Sequence, residues 1–581
     1  MEHQQQSKLL QHLGIVAGVC NEIQLVERID SCIAQPRRKV SVGQAVKAMI
    51  LNALGFSGRA LYLNPRFYEN RPVESLIGEG IRPEDLHDAS LGTALDALYE
   101  HGITEVFYRV ASAITQEAGI ETKFAHLDST TFSLHGVYNS EEEEVEEPVI
   151  HITKGYSKDN RPELNQVVAQ LICANRTSIP VWLEVLSGNT SDKKSFKETV
   201  NRFQRQVAEK EMPYLVMDAA FYSREAVREV SDSVRWVSRV PETVKEVKEL
   251  YRKLDPSAMK ELEPGYRSSS VESTFGGVRQ RWLVVFSEQS RERELKTFRK
   301  NLEKERRKNE VEWKHVRNRE FACEADARKA AAVFSAKLRH QLITCEVAGK
   351  DYYAGRGRPN RGAQPEGRGW FLTGTLCDDE AAIRETEGRK GLFVIATNEM
   401  DETALSDQQL LSVYKDQGVS VERGFRFLKD PWFYAESLYL KKPERIMALV
   451  MVMTLSLLVY AMAELKVRKA RKDKKEFIWD QKKRPTNNPT VRWVFYIFED
   501  VLLLYTGQGE ERTAQAMNIR EEHRILLRCL GKPYKKSTFF KINSRMWGVD
   551  CVCGDEIGHS YSVLGVSRQH ERSNDCRAGQ A

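Results

Sequence analysis

The chain has 581 residues and a net charge of +6, from 88 Lys and Arg against 82 Asp and Glu. This small excess excludes a wholly basic, histone-like protein and an acidic solvating chain, and 41% hydrophobic residues exclude global disorder. Ten cysteines are too sparse for a disulfide scaffold. The C-V-C of Cys551 and Cys553 lacks the C-x2-C spacing that is typical of structural zinc. No secretory signal pattern opens the chain, so we expect a cytoplasmic protein of three or four domains.

The first 118 residues are predicted to form an all-helical N-terminal domain. Apolar residues recur there at spacings of three and four, most clearly over Val40–Phe56 and Leu91–Ile114. Gly55 and Pro65 interrupt the pattern.

Residues 119–240 are predicted to alternate between strands and helices. Strand patterns cover residues 123–134, 166–173, 180–186, 213–218 and 234–240, and helices open at residues 191 and 223. Residues 241–385 break this rhythm as an insertion, with a charged helix or helical hairpin over residues 291–320. Residues 386–465 resume with a strand at Leu392–Thr397 and a helix at Ser406–Lys429. Without the insertion, this order resembles a ribonuclease H-like fold, an α/β fold with a mixed sheet and helices on both faces.

The segment Ile446–Ala463 has 18 residues without a charge. That length is at the lower limit for a membrane span, so a single-span membrane protein is one alternative. The other alternative is a helix that is buried on all sides within a large protein.

Three carboxylates stand at positions where a shared site is expected. Asp128 lies within the first strand, Asp218 ends the fourth, and Glu422 lies in the late helix. These elements converge at one sheet edge in a ribonuclease H-like topology, and carboxylate oxygens are the ligands that Mg²⁺ prefers. Each residue also has a local alternative: Asp128 could pair locally, Asp218 could cap the next helix, and Glu422 could pair with Arg426 four residues on.

The late helix, YKDQGVSVERGFRFLKDPWF, resembles the tyrosine–arginine–glutamate–lysine signature of bacterial insertion-sequence transposases of the DDE class. Tyr414, Glu422 and Lys429 match the Tyr, the catalytic Glu and the Lys seven residues after it. Gln417 stands where the family has Arg, and seven residues instead of six separate the Tyr from the Glu. Arg423 or Arg426 could supply the missing charge. The surroundings of the two aspartates, HLDSTTF and VMDAAFYS, and the phrases GYSKDNRPELNQ and SGNTSD also resemble this group.

The resemblance implies an enzyme that cleaves and joins DNA with two Mg²⁺ ions, for which Mn²⁺ can substitute. Asp128, Asp218 and Glu422 would bind the ions, while Lys429 and Tyr414 would assist. The implied partner is double-stranded DNA, both the terminal inverted repeats and the target, held by a homodimer at the nucleoid. The resemblance also implies that residues 1–118 bind DNA ends or serve assembly, that the insertion helps to hold the DNA end, and that Ile446–Ala463 is a core helix rather than a membrane span.

Basic residues are concentrated after residue 465, in the C-terminal region 466–581. Lys466–Arg492 carries 11 Lys and Arg against 3 Asp and Glu, a net +8 that leaves −2 for the remaining residues. Such a segment is typical of phosphate-backbone contact, with a solvated linker as the alternative. The DNA-contact candidates are Lys482, Lys483 and Arg484 here, Arg356, Arg358 and Arg361 in a Gly-rich loop, and Arg423, Arg426 and Lys429 in the late helix. A catalytically inactive DNA-binding protein derived from a transposase remains the rival function.

Overall fold

The computed structural model describes most of the chain. The described residues are 5–33, 38–56, 61–135, 138, 149–175, 177–207, 212–354, 361, 364–429, 440–474, 477–486, 489–507, 513–531 and 534. Arg356, Arg358, Cys551 and Cys553 lie outside them.

The described residues of the N-terminal region form a short strand followed by seven α-helices. The helices are α1 (Leu13–Glu22), α2 (Leu25–Cys32), α3 (Val42–Leu54), α4 (Asn64–Tyr68), α5 (Val73–Leu76), α6 (Asp88–Glu100) and α7 (Ile103–Glu117). Strand β1 (Gln6–Leu9) pairs antiparallel with strand β15 (Leu502–Thr506), far along the chain. The region is therefore not all-helical as predicted, because a distant strand satisfies the backbone hydrogen bonds of its first residues.

A nine-stranded mixed sheet forms the centre of the molecule. Its strands are β2 (Phe124–Leu134), β3 (Asn165–Ala174), β4 (Pro180–Ser187), β5 (Tyr214–Met217), β6 (Trp236–Val240), β7 (Lys260–Glu263), β8 (Tyr266–Phe275), β9 (Val278–Ser287) and β12 (Leu392–Thr397). They lie in the order β4-β3-β2-β5-β6-β12-β9-β8-β7. Strand β5 runs parallel to β2 and to β6, and the other neighbouring pairs are antiparallel.

Helices follow the strands in the predicted order. They are α8 (Asp192–Val207), α9 (Arg224–Val230), α10 (Lys245–Lys253), α11 (Glu288–Arg317), α12 (Glu324–Ser335), α13 (Glu380–Gly388), α14 (Asp407–Leu428) and α15 (Pro443–Lys474). Helix α14 begins at a capping box in which Ser406 and Gln409 exchange hydrogen bonds with each other's backbone N–H.

The inserted region 241–385 divides into two structural parts. Strands β7, β8 and β9 extend the central sheet beyond β12. Helices α11 and α12 instead pack with a separate hairpin, β10 (Gln341–Tyr352) and β11 (Gly367–Asp378), around a small core that contains Trp313, Phe321 and Phe334. The charged stretch is one continuous helix rather than a helical hairpin.

Helix α15 is the apolar centre of the largest core. It packs against α1, α3 and α6 of the N-terminal region, against α14 and against β4. Arg445 near its start donates two hydrogen bonds of 2.7 Å to the carboxylate of Asp96 on α6. By length and composition α15 could cross a membrane, yet 89% of its apolar window lies inside the protein. It is built as a core helix.

The C-terminal region contains small elements that return to this core. They are β13 (Ile478–Trp479), β14 (Pro485–Thr486), α16 (Val491–Ile497), β15, β16 (Thr513–Met517) and α17 (Glu521–Leu530). The basic segment is divided between the end of α15 and the β13–β14 hairpin.

Candidate active site

Asp128 lies on the face of the central sheet that α14 covers. Along β2, Ala125 and Leu127 belong to the core on one face, whereas Phe124 and Phe132 belong to cores on the other face. Asp128 shares the second face, because side chains alternate along a strand. Its side chain is only 16% exposed. One carboxylate oxygen, Oδ1, accepts a 2.7 Å hydrogen bond from the N–H of Ser129.

Asp218 lies beside Asp128 at the end of the neighbouring parallel strand. Leu127 of β2 is in register with Met217 of β5. Asp128 directly follows Leu127 in sequence, and Asp218 directly follows Met217. Neighbouring strands are about 4.8 Å apart, so the two backbones are close at this step. Asp218 is not a helix cap, because Ser223 caps α9. Its Oδ1 accepts a 3.0 Å hydrogen bond from the N–H of Ala220, which forms a tight turn after the strand.

Helix α14 brings Glu422 to the same face without completing a ligand set. Apolar residues in the first half of α14 pack into one hydrophobic cluster, and those in its second half pack into another. The helix contacts β2, β3, β5 and β6. Glu422 is exposed and points back along the helix, because its Oε2 lies 3.5 Å from where a Cβ on Gly418 would stand. Among the described residues, no three His, Cys, Asp or Glu side chains are close enough to hold a metal ion together. Nor does Glu422 form an ion pair with Arg426 within that part of the chain.

Lys158 and Asp159 contact the site but were not among the predicted residues. Lys158 Nζ donates 2.7 Å hydrogen bonds to the carbonyl oxygen and to Oγ of Ser129, and it lies 3.7 Å from Asp128 Oδ1. Asp159 Oδ1 accepts a 2.5 Å hydrogen bond from Lys429 Nζ. Both belong to the segment GYSKDNRPELNQ, which resembles the transposase group as a whole but gives no role to its individual residues. The adjacent Lys and Asp in this segment are the sequence feature that could have identified them.

The buried groups of this face do not add positive charge. Burial lowers the pKa of His126 to about 4, so its imidazole is neutral at pH 7. Neither of its ring nitrogens has a hydrogen-bond partner within the described part of the chain. Burial, and then the nearby Asp128 carboxylate, raise the pKa of the Cys173 thiol on β3, which stays protonated. Among the described residues, Lys158 brings a positive charge to Asp128, and Lys429 binds the adjacent Asp159.

The other candidates on α14 have different surroundings. Tyr414 packs into the core, with its ring 5.9 Å from that of Phe393. Gln417, at the position of the expected Arg, is buried. Arg423 forms an ion pair with Glu464 of α15, whereas Arg426 is exposed.

Arg423 is therefore expected to contribute to stability. The Glu464 side chain is 9% exposed and pairs with both Arg423 and Arg468. Arg423→Ala should lower the free energy of unfolding by about 1–2 kcal/mol, because a nearly buried carboxylate loses one of two partners. Arg426→Ala, an exposed change on the same helix, should alter it by about 0.5 kcal/mol or less. Urea denaturation of both variants checks this, and equal losses would contradict the ion-pair assignment.

The remaining basic candidates that lie within the described residues are exposed. Lys482, Lys483 and Arg484 form the turn between β13 and β14, where the Asp480 carboxylate accepts 2.8 Å hydrogen bonds from the N–H groups of Lys482 and Arg484. Arg361 is exposed near the tip of the β10–β11 hairpin.

The fold and the aspartate pair define an α/β protein with a carboxylate site on its central sheet. Residues 121–459 match the sequence model of the family described as "Transposase DDE domain", and residues 5–112 match a domain of unknown function, DUF4277. The first match spans more than half of the chain, and the chain belongs to the DDE transposase family. The expected relationship to DDE transposases is confirmed, while membership in the group with the tyrosine–arginine–glutamate–lysine signature stays a prediction.

One solved structure that the comparison matches to the chain is a piggyBac transposase synaptic complex with hairpin DNA, at 8% identity. The similarity covers 85% of this chain and 82% of that chain, with a TM-score of 0.34. A likeness at this TM-score does not establish a shared fold. No curated protein matches the chain.

Proposed function

We propose that this transposase cleaves and joins DNA by phosphodiester chemistry at a ribonuclease H-like centre. The observation that carries the proposal is the aspartate pair. Asp128 on β2 and Asp218 directly after β5 each follow the registered pair Leu127–Met217 of two parallel strands, and α14 contacts both strands. The sheet order β4-β3-β2-β5-β6, with β2 and β5 parallel at its middle, supports the ribonuclease H-like assignment.

The donor set suits Mg²⁺ in its chemistry, since carboxylates are hard oxygen ligands. Asp128 and Asp218 would hold the ions, with Glu422 as the third carboxylate. Bound there, Mg²⁺ would activate a water or a 3′-hydroxyl and stabilise the leaving oxygen of the phosphodiester, and Mn²⁺ could replace it. The two aspartates supply oxygen ligands from neighbouring strands. Among the described residues the three carboxylates are not gathered into one group, so the set that would hold the ions is incomplete in this arrangement.

The protein's own residues would bind and orient the DNA. Lys429 would bind a phosphate of the DNA once its ammonium leaves Asp159, because the two share a 2.5 Å hydrogen bond in this structure. Tyr414, packed against the core, would hold α14 in place rather than contact DNA. A homodimer would hold the two ends of the element in the cytoplasm, at the nucleoid.

The rival function is DNA binding without catalysis. The observation in its favour is that, among the described residues, Asp128, Asp218 and Glu422 do not form one group that could hold a metal ion. Cleavage of a plasmid that carries the cognate inverted repeats, with Mg²⁺, separates the two functions. The proposal expects cleavage by the wild type and none by Asp128→Ala. Equal behaviour of the two proteins would leave only the rival.

The basic turn of the β13–β14 hairpin is expected to contact the DNA backbone. Each neutralised phosphate contributes about 0.9 to the slope of log K against log salt. Changing Lys482, Lys483 and Arg484 to Ala should therefore reduce that slope by about 2 to 3. Binding titrations at several salt concentrations measure it. The matched control changes Arg205, Arg224 and Arg228, which are exposed on α8 and α9 outside the inserted region. An equal reduction in both triple variants would argue against a local contact at the hairpin.

A further inference from the structure

The segment Gly155–Gln166 contacts both the central sheet and the end of α14 through two adjacent side chains. Lys158 binds β2 at Ser129 and lies 3.7 Å from Asp128 Oδ1. Its backbone N–H also donates a 3.2 Å hydrogen bond to Oγ1 of Thr131. Asp159, the next residue, binds Lys429 at the end of α14. The segment therefore contacts two elements of the candidate active site at once.

The Lys158 ammonium has surroundings typical of a bound cation. A lysine ammonium has three N–H donors and no acceptor. Among the described residues, the oxygens that it faces are the carbonyl and hydroxyl oxygens of Ser129 and the Asp128 carboxylate. The two charged side chains are 29% and 16% exposed, so water screens them only in part. The positive charge at Asp128 in this structure is thus supplied by the chain itself.

We propose that Lys158 is a positioning residue that takes the place of a cation beside Asp128 and competes with a divalent metal ion there. The inference rests on the proposed function, because it requires Asp128 to bind metal. It goes beyond that function by making metal binding depend on displacement of the ammonium from the carboxylate. Metal binding would then free Lys158 for a second anion, and a DNA phosphate is the anion that the proposed substrate supplies.

The competition predicts an increase in metal affinity when the charge is removed. Two cations within a few ångströms repel each other, so Lys158→Met should bind Mn²⁺ roughly fivefold more tightly than the wild type, after allowance for screening. Lys158→Arg keeps the charge and should stay close to the wild type. If Lys158 only anchors its segment, its removal would loosen the site and would not tighten metal binding.

Isothermal titration of the full-length protein with Mn²⁺, without DNA, tests the proposal. The control Lys154→Met makes the same change of charge at an exposed lysine four residues earlier. Asp128→Asn reports whether the binding belongs to this site. We expect Lys158→Met to be the one variant that binds Mn²⁺ more tightly than the wild type. Lys158→Arg and Lys154→Met should keep the wild-type affinity, and Asp128→Asn should lose binding.

Two failures are distinguishable. If the wild type binds Mn²⁺, Asp128→Asn does not, and Lys158→Met is unchanged or weaker, the competition is refuted while the metal site stands. If the wild type and Asp128→Asn bind Mn²⁺ alike or not at all, the proposed metal site fails and the competition fails with it. A similar increase in Lys154→Met would trace the effect to net charge and overturn the specific role of Lys158.

Discussion

Asp218→Asn is expected to lower the rate of DNA cleavage by about a hundredfold to a thousandfold, the scale on which loss of one group that acts on developing charge lowers kcat. The fold should survive the change. An Asn Oδ1 can still accept the 3.0 Å hydrogen bond from the N–H of Ala220, so the turn after β5 keeps its geometry. What the variant loses is the negative charge beside Asp128. A cleavage time course on DNA with the cognate ends measures the rate.

The matched control for this prediction is Asp232→Asn. Asp232 is exposed in the turn before β6, and its change removes the same charge away from the site. It should keep the wild-type rate, and both variants should unfold within about 1 kcal/mol of the wild type. If Asp218→Asn kept more than a tenth of the wild-type rate, Asp218 would have no direct part in the chemistry.

Gly188→Ala is expected to lower the free energy of unfolding by about 2–3 kcal/mol, because the extra methyl has no room. A Cβ at this position would stand 2.1 Å from the carbonyl oxygen of Gln166 and 2.4 Å from that of Thr153. Both obstacles are backbone atoms, so no flexible side chain can move aside. The carbonyl of Gly188 also accepts a 2.7 Å hydrogen bond from the Gln166 amide. Thermal or urea unfolding measures the loss.

The same substitution should also reduce DNA cleavage. Gly188 packs against Gly155, whose own Cβ would stand 2.1 Å from the Gly188 carbonyl oxygen, at the start of the segment that carries Lys158 and Asp159. Displacing Gly188 would therefore move that segment off β2. Gly388→Ala is the control, since nothing lies within 4 Å of its added Cβ. Equal stability of the two variants would contradict the close approach of these backbones.

The succession of strands and helices over residues 119–240 and 386–429 could be predicted, because local patterns carry it. Alternation and β-branched residues mark β2, and the serines before α9 and α14 mark their first turns. The prominence of Asp128 was also predictable, since a carboxylate inside an apolar strand needs a partner. The sequence resemblance then identified the family.

Long-range pairing explains what the sequence did not reveal. β1 becomes a strand only because β15 lies beside it, and β7–β9 join the central sheet through β12. Neither pairing leaves a local pattern. Lys158 was missed for the same reason, because its contact with Asp128 depends on how a loop returns to the sheet. Arg423, offered as a DNA contact, binds a glutamate on the next helix.

The most direct test of the account is a comparison of strand joining by Asp128→Asn, Asp218→Asn and the double variant. The substrate is DNA that already ends in the exposed 3′-hydroxyl, with a target plasmid and Mg²⁺. Residues that act as one catalytic unit lose activity non-additively. The account predicts that each single variant loses nearly all joining and that the double variant loses little more. If the double variant lost activity by the product of the two single losses, the aspartates would act independently, which would contradict a shared centre. Joining by either single variant at the wild-type rate would contradict it as well.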